Sequence, residues 1–292
     1  MFRLVLTAGL FGAAVFWWLT RPDPLPDDQT LPSADAEAGA LVFAAAGCAS
    51  CHVAPGADDA EPAVLSGGRA FATDFGTFYA PNISPDPASG IGRWTAAQFT
   101  RAVQSGVSPD GQHYYPAFPY TAYAFMTRDD IGDLWAYMQT LPASQVPGKA
   151  HDVGLPFSIR RGLGLWKLMN QSGDFHLQGD LSAEEERGRY LAEALGHCTE
   201  CHTARDSLGG LDRDRWLAGA PSPTGKGRIP NITPGVLGWS EADLVAYFTS
   251  GLTPDYDSAG GDMVTVIENL AKLPETDRAA LAAYLLRIET VN

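Results

Sequence analysis

Residues 48–52 read Cys-Ala-Ser-Cys-His, and residues 198–202 read Cys-Thr-Glu-Cys-His. Both are C-x-x-C-H motifs, the pattern at which haem c is attached to a protein chain. Two thiols on one helical turn can bond to the two vinyl groups of one porphyrin, and the adjacent His can then ligate the iron. The motifs therefore predict two covalently bound haem c groups. They would be held by Cys48, Cys51, Cys198 and Cys201, with His52 and His202 as axial ligands of the two irons.

The same cysteine spacing also occurs in redox dithiols and in zinc sites. All four cysteines of the chain lie in the two motifs, so none is left to complete a tetrahedral zinc site. Both copies also carry the His that haem attachment requires. A disulfide framework is not expected, because a chain of 292 residues can bury a core without covalent staples. Haem attachment is therefore the preferred interpretation.

Composition indicates a folded protein with an acidic surface. At about 150 residues per domain, a chain of 292 residues is long enough for two domains. Its formal net charge of -14 argues against nucleic-acid binding, which requires Lys and Arg to neutralise phosphates. An acidic surface would steer a basic redox partner, although it is equally expected of any acidic periplasmic protein.

The N-terminal residues 4–20 are almost wholly apolar, follow Arg3 and include Trp17 and Trp18 near their end. Seventeen residues is the lower limit for a membrane span, and paired Trp side chains are typical of the membrane interface. A secretory signal has the same basic start and apolar run. We expect residues 1–21 to form a membrane helix or a signal, with the uncleaved anchor favoured. Residues 22–35, rich in Pro and Asp, would then form a tether, and the haem domains would lie in the periplasm at the bacterial inner membrane.

The similarity between the two halves extends well beyond the motifs. The residues Pro-Asn-Ile at 81–83 recur at 230–232, and a Gly-Trp pair follows each of them in looser form. Each half then has a short helix that should end at a glycine, Gly106 or Gly251, and a closing helix. The sequence is therefore interpreted as a duplicated domain.

This duplication predicts an all-α fold of two tandem haem domains, because no run of residues alternates cleanly enough for a sheet. We assign residues 36–142 to the first domain, 143–180 to a connector and 181–292 to the second domain. Long loops are expected to pack on the haem faces, because the haem replaces part of the missing core.

The sixth iron ligand decides between electron transfer and catalysis. Apart from the initiator, the chain has four Met residues. Met138 falls on the apolar stripe of a helix, and Met169 lies in the connector. Met126 and Met263 each lie before the closing helix of their half, and we predict that they are the two sixth ligands. His113 is the rival ligand at the first haem.

Other residues are candidates for haem packing. Trp94 and Trp239 would bury against the haems or donate to a propionate. Arg69, Arg161 and Arg228 would suit propionates too. Ordinary core or surface positions are the alternative for each, and we favour haem contact only for the two Trp residues.

These residues resemble the dihaem c-type cytochromes related to the cytochrome subunits of bacterial membrane-bound alcohol, aldehyde and gluconate dehydrogenases. The matching stretches are 81–83, 115–120, 196–203, 230–234 and 261–264. The resemblance covers about residues 36–290 and implies class I cytochrome c folds, His/Met iron ligation and electron transfer from a periplasmic dehydrogenase toward quinone or a terminal oxidase. Those subunits usually carry three haem motifs where this chain has two, and many relatives have Met at the position of Phe118.

We therefore expect a membrane-anchored periplasmic dihaem cytochrome, not an enzyme in itself. It would relay single electrons between a dehydrogenase or soluble carrier and a respiratory-chain acceptor. One rival is a dihaem redox enzyme of the peroxidase or thiosulfate-oxidising type, which needs an open iron or a reactive Cys. The other rival is a subunit that both transfers electrons for a dehydrogenase and anchors it to the membrane.

Overall fold

The structure of the protein is a computed structural model that describes residues 2–25, 31–32, 34–57, 63–222 and 227–292. Within the predicted tether, residues 26–30 and 33 lie outside the described residues. One buried apolar cluster runs through both halves of the chain. The two halves therefore pack on each other as well as on themselves.

The N-terminal helix α1 (Phe2–Leu19) has 18 residues. At 1.5 Å per residue it is about 27 Å long, which is short of a hydrocarbon core of about 30 Å. Among the described residues, no helix is both long and apolar enough to cross a membrane. The membrane helix predicted within residues 1–21 is therefore wrong. The end of α1 instead contacts the protein, because Thr20 is buried and its hydroxyl accepts a hydrogen bond from Arg161 (3.0 Å).

Each half is built on a pair of helices that cross at a glycine. In the first half, α2 (Ala36–Ala45) packs on α6 (Arg128–Met138), and a Cβ at Gly39 would lie 2.0 Å from the carbonyl oxygen of Asp133. In the second half, α8 (Ala183–Tyr190) packs on α13 (Glu275–Arg287), and a Cβ at Gly188 would lie 1.8 Å from the carbonyl oxygen of Ala280. No side chain fits at either crossing, so the two backbones are in direct contact.

In each half a short helix, a hairpin and a longer helix follow one another along the chain, and the second half has further elements. The first half contains α3 (Cys48–His52), β1 (Ala70–Thr73), β2 (Gly76–Tyr79), α4 (Ala96–Ser105) and α5 (Tyr120–Tyr123). The second half contains a π-helical turn (Leu191–Leu195), α9 (Thr199–His202), a 3₁₀ turn (Arg213–Arg215), β3 (Ala220–Pro221), β4 (Arg228–Ile229), α10 (Pro234–Leu237), α11 (Glu241–Ser250) and α12 (Met263–Leu270).

Two short antiparallel hairpins depart from the all-α expectation. Ala70 pairs with Tyr79 in the first hairpin, and Ala220 pairs with Ile229 in the second. Strands of two to four residues are too short to show a period-two pattern in the sequence. The predicted helix ends are confirmed, because α4 ends at Gly106 (φ 57°) and α11 ends at Gly251 (φ 74°) in the left-handed conformation that favours glycine.

The connector is ordered through helix α7 (Gly162–Asn170), which contacts both halves. The ammonium of Lys167 donates to the carbonyl oxygen of Gly106 (3.0 Å), at the end of α4. The indole N–H of Trp166 donates to the carbonyl oxygen of Leu208 (2.9 Å), in the second half. The connector therefore fixes the two halves relative to each other.

Candidate functional site

Each C-x-x-C-H motif forms a short helix of its own. Helix α3 carries Cys48, Cys51 and His52 and begins after Gly47, whose φ of 61° turns the chain sharply out of α2. In the second half His197 adopts the equivalent positive φ of 37°, immediately before Cys198. No disulfide joins the four thiols of the two motifs, all of which lie within the described residues. A tight turn therefore places each pair of thiols and the following imidazole on one helical turn.

The imidazoles of His52 and His202 are held by the same contact in the two halves. Nδ1 of His52 lies 2.8 Å from the carbonyl oxygen of Pro81, and Nδ1 of His202 lies 2.9 Å from that of Pro230. A carbonyl oxygen only accepts, so Nδ1 carries the proton and Nε2 is left with its lone pair. Burial lowers the pKa of both rings, which keeps them neutral. This is the protonation state and tautomer that an iron ligand requires.

The repeated Pro-Asn-Ile stretches hold these carbonyl groups in place. The amide of Asn82 donates to the carbonyl oxygen of Ser144 (2.7 Å), and the amide of Asn231 donates to that of Val291 (2.7 Å). In each case the Asn ties the loop beside the motif to the segment that follows the closing helix. The proline carbonyl that orients the imidazole therefore belongs to a rigid loop.

The donor set of each motif fits a covalently bound haem. It offers two thiols for the vinyl groups and one neutral imidazole nitrogen for the iron. Burial raises the pKa of Cys48 and of Cys198 to about 12, with a further contribution from the neighbouring Cys in each motif. Reactive redox dithiols have a lowered thiol pKa, so the environment of these cysteines does not favour dithiol chemistry.

The two predicted sixth ligands occupy different settings. Met126 is 3% exposed and follows α5, where the Gln104 side chain donates to its carbonyl oxygen (2.8 Å). Met263 is half-buried against the apolar cluster and is the first residue of α12, where the sequence predicted a loop. The rival ligand His113 lies elsewhere, because its Nε2 is 3.0 Å from the carbonyl oxygen of Thr20 after the N-terminal helix.

The other candidates divide between core and surface contacts. Trp94 and Trp239 are half-buried and pack on the apolar cluster of the protein. Arg69 forms an ion pair with Asp262 in the other half (2.7 Å). Arg161 is bound to the end of α1, and Arg228 lies exposed in β4. Among the described residues, the contacts of Arg69 and Arg161 are thus with protein groups.

The two motifs meet at the boundary between the halves. The Asn269 side chain of α12 donates to the hydroxyl of Ser50, inside the first motif (3.1 Å). Within the second motif, the Glu200 carboxylate accepts a hydrogen bond from Thr121 of α5 (3.3 Å). Each attachment helix is therefore in contact with the opposite half, and the two sites adjoin one interface.

Tyr123 has no motif that would mark it in the sequence, yet it lies between the two sites. Its hydroxyl donates to the carbonyl oxygen of Ala46 (2.9 Å), just before the first motif. Its ring packs edge-on against His197, which directly precedes the second motif, with 5.6 Å between ring centroids. The aromatic-rich stretch around it was the only available signal.

Comparisons with known proteins agree with this geometry. A family model for cytochrome c matches residues 36–142. A diheme cytochrome c-type protein of Cereibacter sphaeroides is 52% identical over 297 residues, which cover 99% of this chain and 100% of that protein. The fructose dehydrogenase cytochrome subunit of Gluconobacter japonicus is 35% identical, and the match covers 90% of this chain and 54% of that subunit. The alcohol dehydrogenase (quinone) cytochrome c subunit of Gluconacetobacter polyoxogenes is 33% identical, with 96% of this chain matching 61% of its length.

Proposed function

This chain belongs to the diheme cytochromes c, and we propose that its two haems pass single electrons from a dehydrogenase to an acceptor of the respiratory chain. The chain is an electron-transfer cytochrome and not a catalytic enzyme in itself. The observation that carries the proposal is the meeting of the two attachment helices at one interface, where Asn269 contacts Ser50 and Thr121 contacts Glu200. Two redox centres that adjoin one interface form a short relay.

The residues take the following roles in this proposal. In the first half, Cys48 and Cys51 would hold the haem covalently, and His52 and Met126 would ligate its iron. The second half would use Cys198 and Cys201 in the same way, with His202 and Met263. A bound haem supplies an iron that accepts and gives up one electron. An iron ligated by both a His and a Met would have no position for substrate, which favours electron transfer over peroxidase chemistry.

The partner is proposed from chemistry and from the relatives. The net charge of -14 suits a partner with a basic docking face, because complementary charge raises association rates. Several relatives are cytochrome subunits of dehydrogenases, although this chain spans only 54% to 61% of those subunits. A dehydrogenase is therefore the proposed electron donor. We place the haem domains in the periplasm, because bacterial haem c is attached outside the cytoplasm.

Counting the haems tests this proposal directly. The purified protein should retain two haems per chain after acid extraction, and its reduced spectrum should be that of haem c. The double variants Cys48→Ala/Cys51→Ala and Cys198→Ala/Cys201→Ala serve as matched partners, and each should retain one haem. A relay also requires that reduced wild-type protein passes electrons on faster than either single-haem variant. Loss of all haem on acid extraction, or equal rates for the three proteins, would contradict the proposal.

A further inference from the structure

The segment between the crossing glycine and the first cysteine of the motif is one residue longer in the second half than in the first. The crossing glycine Gly39 lies nine residues before Cys48, whereas Gly188 lies ten residues before Cys198. The structure absorbs the extra residue in the π-helical turn Leu191–Leu195, where the N–H of Gly196 donates to the carbonyl oxygen of Leu191 (2.7 Å). Such turns are rare in helices and are frequent at functional sites.

The π-helical turn directs Glu193 into the protein. This residue is 4% exposed, and its carboxylate accepts hydrogen bonds from the backbone N–H groups of His176 (2.5 Å) and Leu177 (3.2 Å) and from the hydroxyl of Tyr284 (2.9 Å). The indole N–H of Trp216 in turn donates to the Tyr284 hydroxyl (3.1 Å). The carboxylate is thus at the end of a buried hydrogen-bonded chain.

The first half has no carboxyl group at this place. Phe43 lies five residues before Cys48, as Glu193 lies five residues before Cys198. Tyr137 is the counterpart of Tyr284, because each approaches the crossing glycine of its own half. In the first half the two rings simply pack edge-on, with 5.2 Å between their centroids. The chain therefore contains its own control for the effect of Glu193.

The surroundings of Glu193 raise the pKa of its carboxyl above the ordinary value. Burial raises its pKa, whereas the hydrogen bonds from the two backbone N–H groups and from Tyr284, and the charge of Arg213, lower it. Its negative charge also reaches the second motif, because it adds to the effects of burial and of Cys201 in raising the pKa of the Cys198 thiol. The titratable or charged groups that lie around it or line the same cavity are His176, Arg189, Glu200, Arg205, Arg213 and Tyr284.

A cavity connects this carboxyl group to the second attachment helix. It has a volume of about 100 Å³ and is lined by Glu193, Thr199 of α9, Trp216, Arg205 and Arg213, among others. A cavity of this size has room for several water molecules, since one needs roughly 10–15 Å³, and the polar side chains in its mixed lining offer them hydrogen-bond partners. This cavity is a route by which water and protons would reach Glu193, and Thr199 and Glu200 of the second motif form part of its lining.

We propose that Glu193 is a redox-linked proton acceptor, which binds one proton when the iron at the second motif gains one electron and releases it when that electron leaves. One electron and one proton enter together, so the net charge of this buried region is unchanged. The inference rests on the proposed function, because it requires a haem at the second motif. The first motif, with Phe43 at the equivalent place, has no such partner.

Potentiometric titration of the two-haem protein between about pH 5 and pH 9 tests this inference. The reduction potential of one of the two haems should fall as the pH rises, because its reduction is accompanied by proton binding. The change in its electron-transfer equilibrium constant should be on the order of tenfold, which is the effect of one unit charge at about 12 Å in a protein interior with an effective dielectric constant of about 20. Glu193→Gln keeps an oxygen acceptor of the same shape and should abolish the pH dependence. Tyr284→Phe removes a hydrogen-bond donor to the carboxylate, so the pH range over which the potential varies should move to higher pH. The matched variant Tyr137→Phe should leave the potentials of both haems and their pH dependence unchanged.

A second measurement does not depend on a variant. Infrared difference spectra of the wild-type protein should show a protonated carboxyl group on reduction, and labelling with ¹³C-Glu should shift its band. Two haems with pH-independent potentials, a pH dependence that survives in Glu193→Gln, or no carboxyl band would each overturn the inference and leave the cytochrome assignment intact. A chain that retains no haem would overturn both.

Discussion

Replacing Gly188 with Ala tests the helix crossing that supports the second motif. The added Cβ would lie 1.8 Å from the carbonyl oxygen of Ala280, whereas carbon–oxygen contacts lie at about 3.3 Å. Helices α8 and α13 would therefore have to separate by about 1.5 Å. Overpacking of this kind costs about 3 kcal/mol, and the better helix propensity of Ala returns about 1 kcal/mol. We expect a net loss of about 2 kcal/mol, or roughly 8 °C in the melting temperature of a domain of about 100 residues.

The assay is thermal unfolding of the two-haem protein, followed by circular dichroism. Gly162→Ala is the matched control, because Gly162 is also helical but a Cβ there meets no atom within 4 Å. That control should be neutral or slightly stabilising. If Gly188→Ala were as stable as Gly162→Ala, the direct backbone contact between the helices would not be a determinant of stability, and the reasoning would be refuted.

Three further outcomes are expected. Met263→Ala should lower the potential of the second haem and allow cyanide to bind, because a Met thioether raises the potential and fills the sixth position. An unchanged redox titration would contradict the assignment of Met263 as a ligand. The free energy of unfolding, measured in urea, should decrease as the pH falls from 6.5 to about 4. Burial lowers the pKa of His176 to about 4, so over this range the unfolded chain binds a proton at His176 that the folded chain does not. His176→Phe keeps the stacking on Trp216 and should reduce that fall. Asp262→Asn breaks the exposed ion pair with Arg69 and should lower the free energy of unfolding by less than about 0.5 kcal/mol. A loss above about 2 kcal/mol would contradict this expectation and show that the pair holds the two halves together.

Features that depend on a few neighbouring residues were predictable from the sequence. The capping box of Thr95 and Gln98 and the glycine stop at Gly106 are local hydrogen-bond chemistry, and they recur at Ser240 and Gly251. The repeated Pro-Asn-Ile stretches predicted a duplicated domain. The structure adds the reason for the repeat, which is the contact between a proline carbonyl and the imidazole of each motif.

Features that depend on distant residues were not predictable. Asn269 and Ser50 are hydrogen-bonded across 219 positions, and Thr121 and Glu200 across 79. The apolar N-terminal run resembled a membrane span because its composition does not reveal that its end is fastened to the connector through Arg161. The π-helical turn did leave a trace, since the distance from glycine to cysteine differs by one residue between the halves.

That single residue has an evolutionary consequence. Tandem duplication of a gene yields two copies with identical cofactor environments, and a relay of two identical centres has no preferred direction. The one-residue difference between the segments Gly39–Cys48 and Gly188–Cys198 breaks that equivalence, and the π-helical turn Leu191–Leu195 accommodates it within the helix. Later substitutions could then act on one copy alone. The π-helical turn therefore gives the second motif surroundings that the first motif lacks, while the glycine crossing of the helices is the same in both halves.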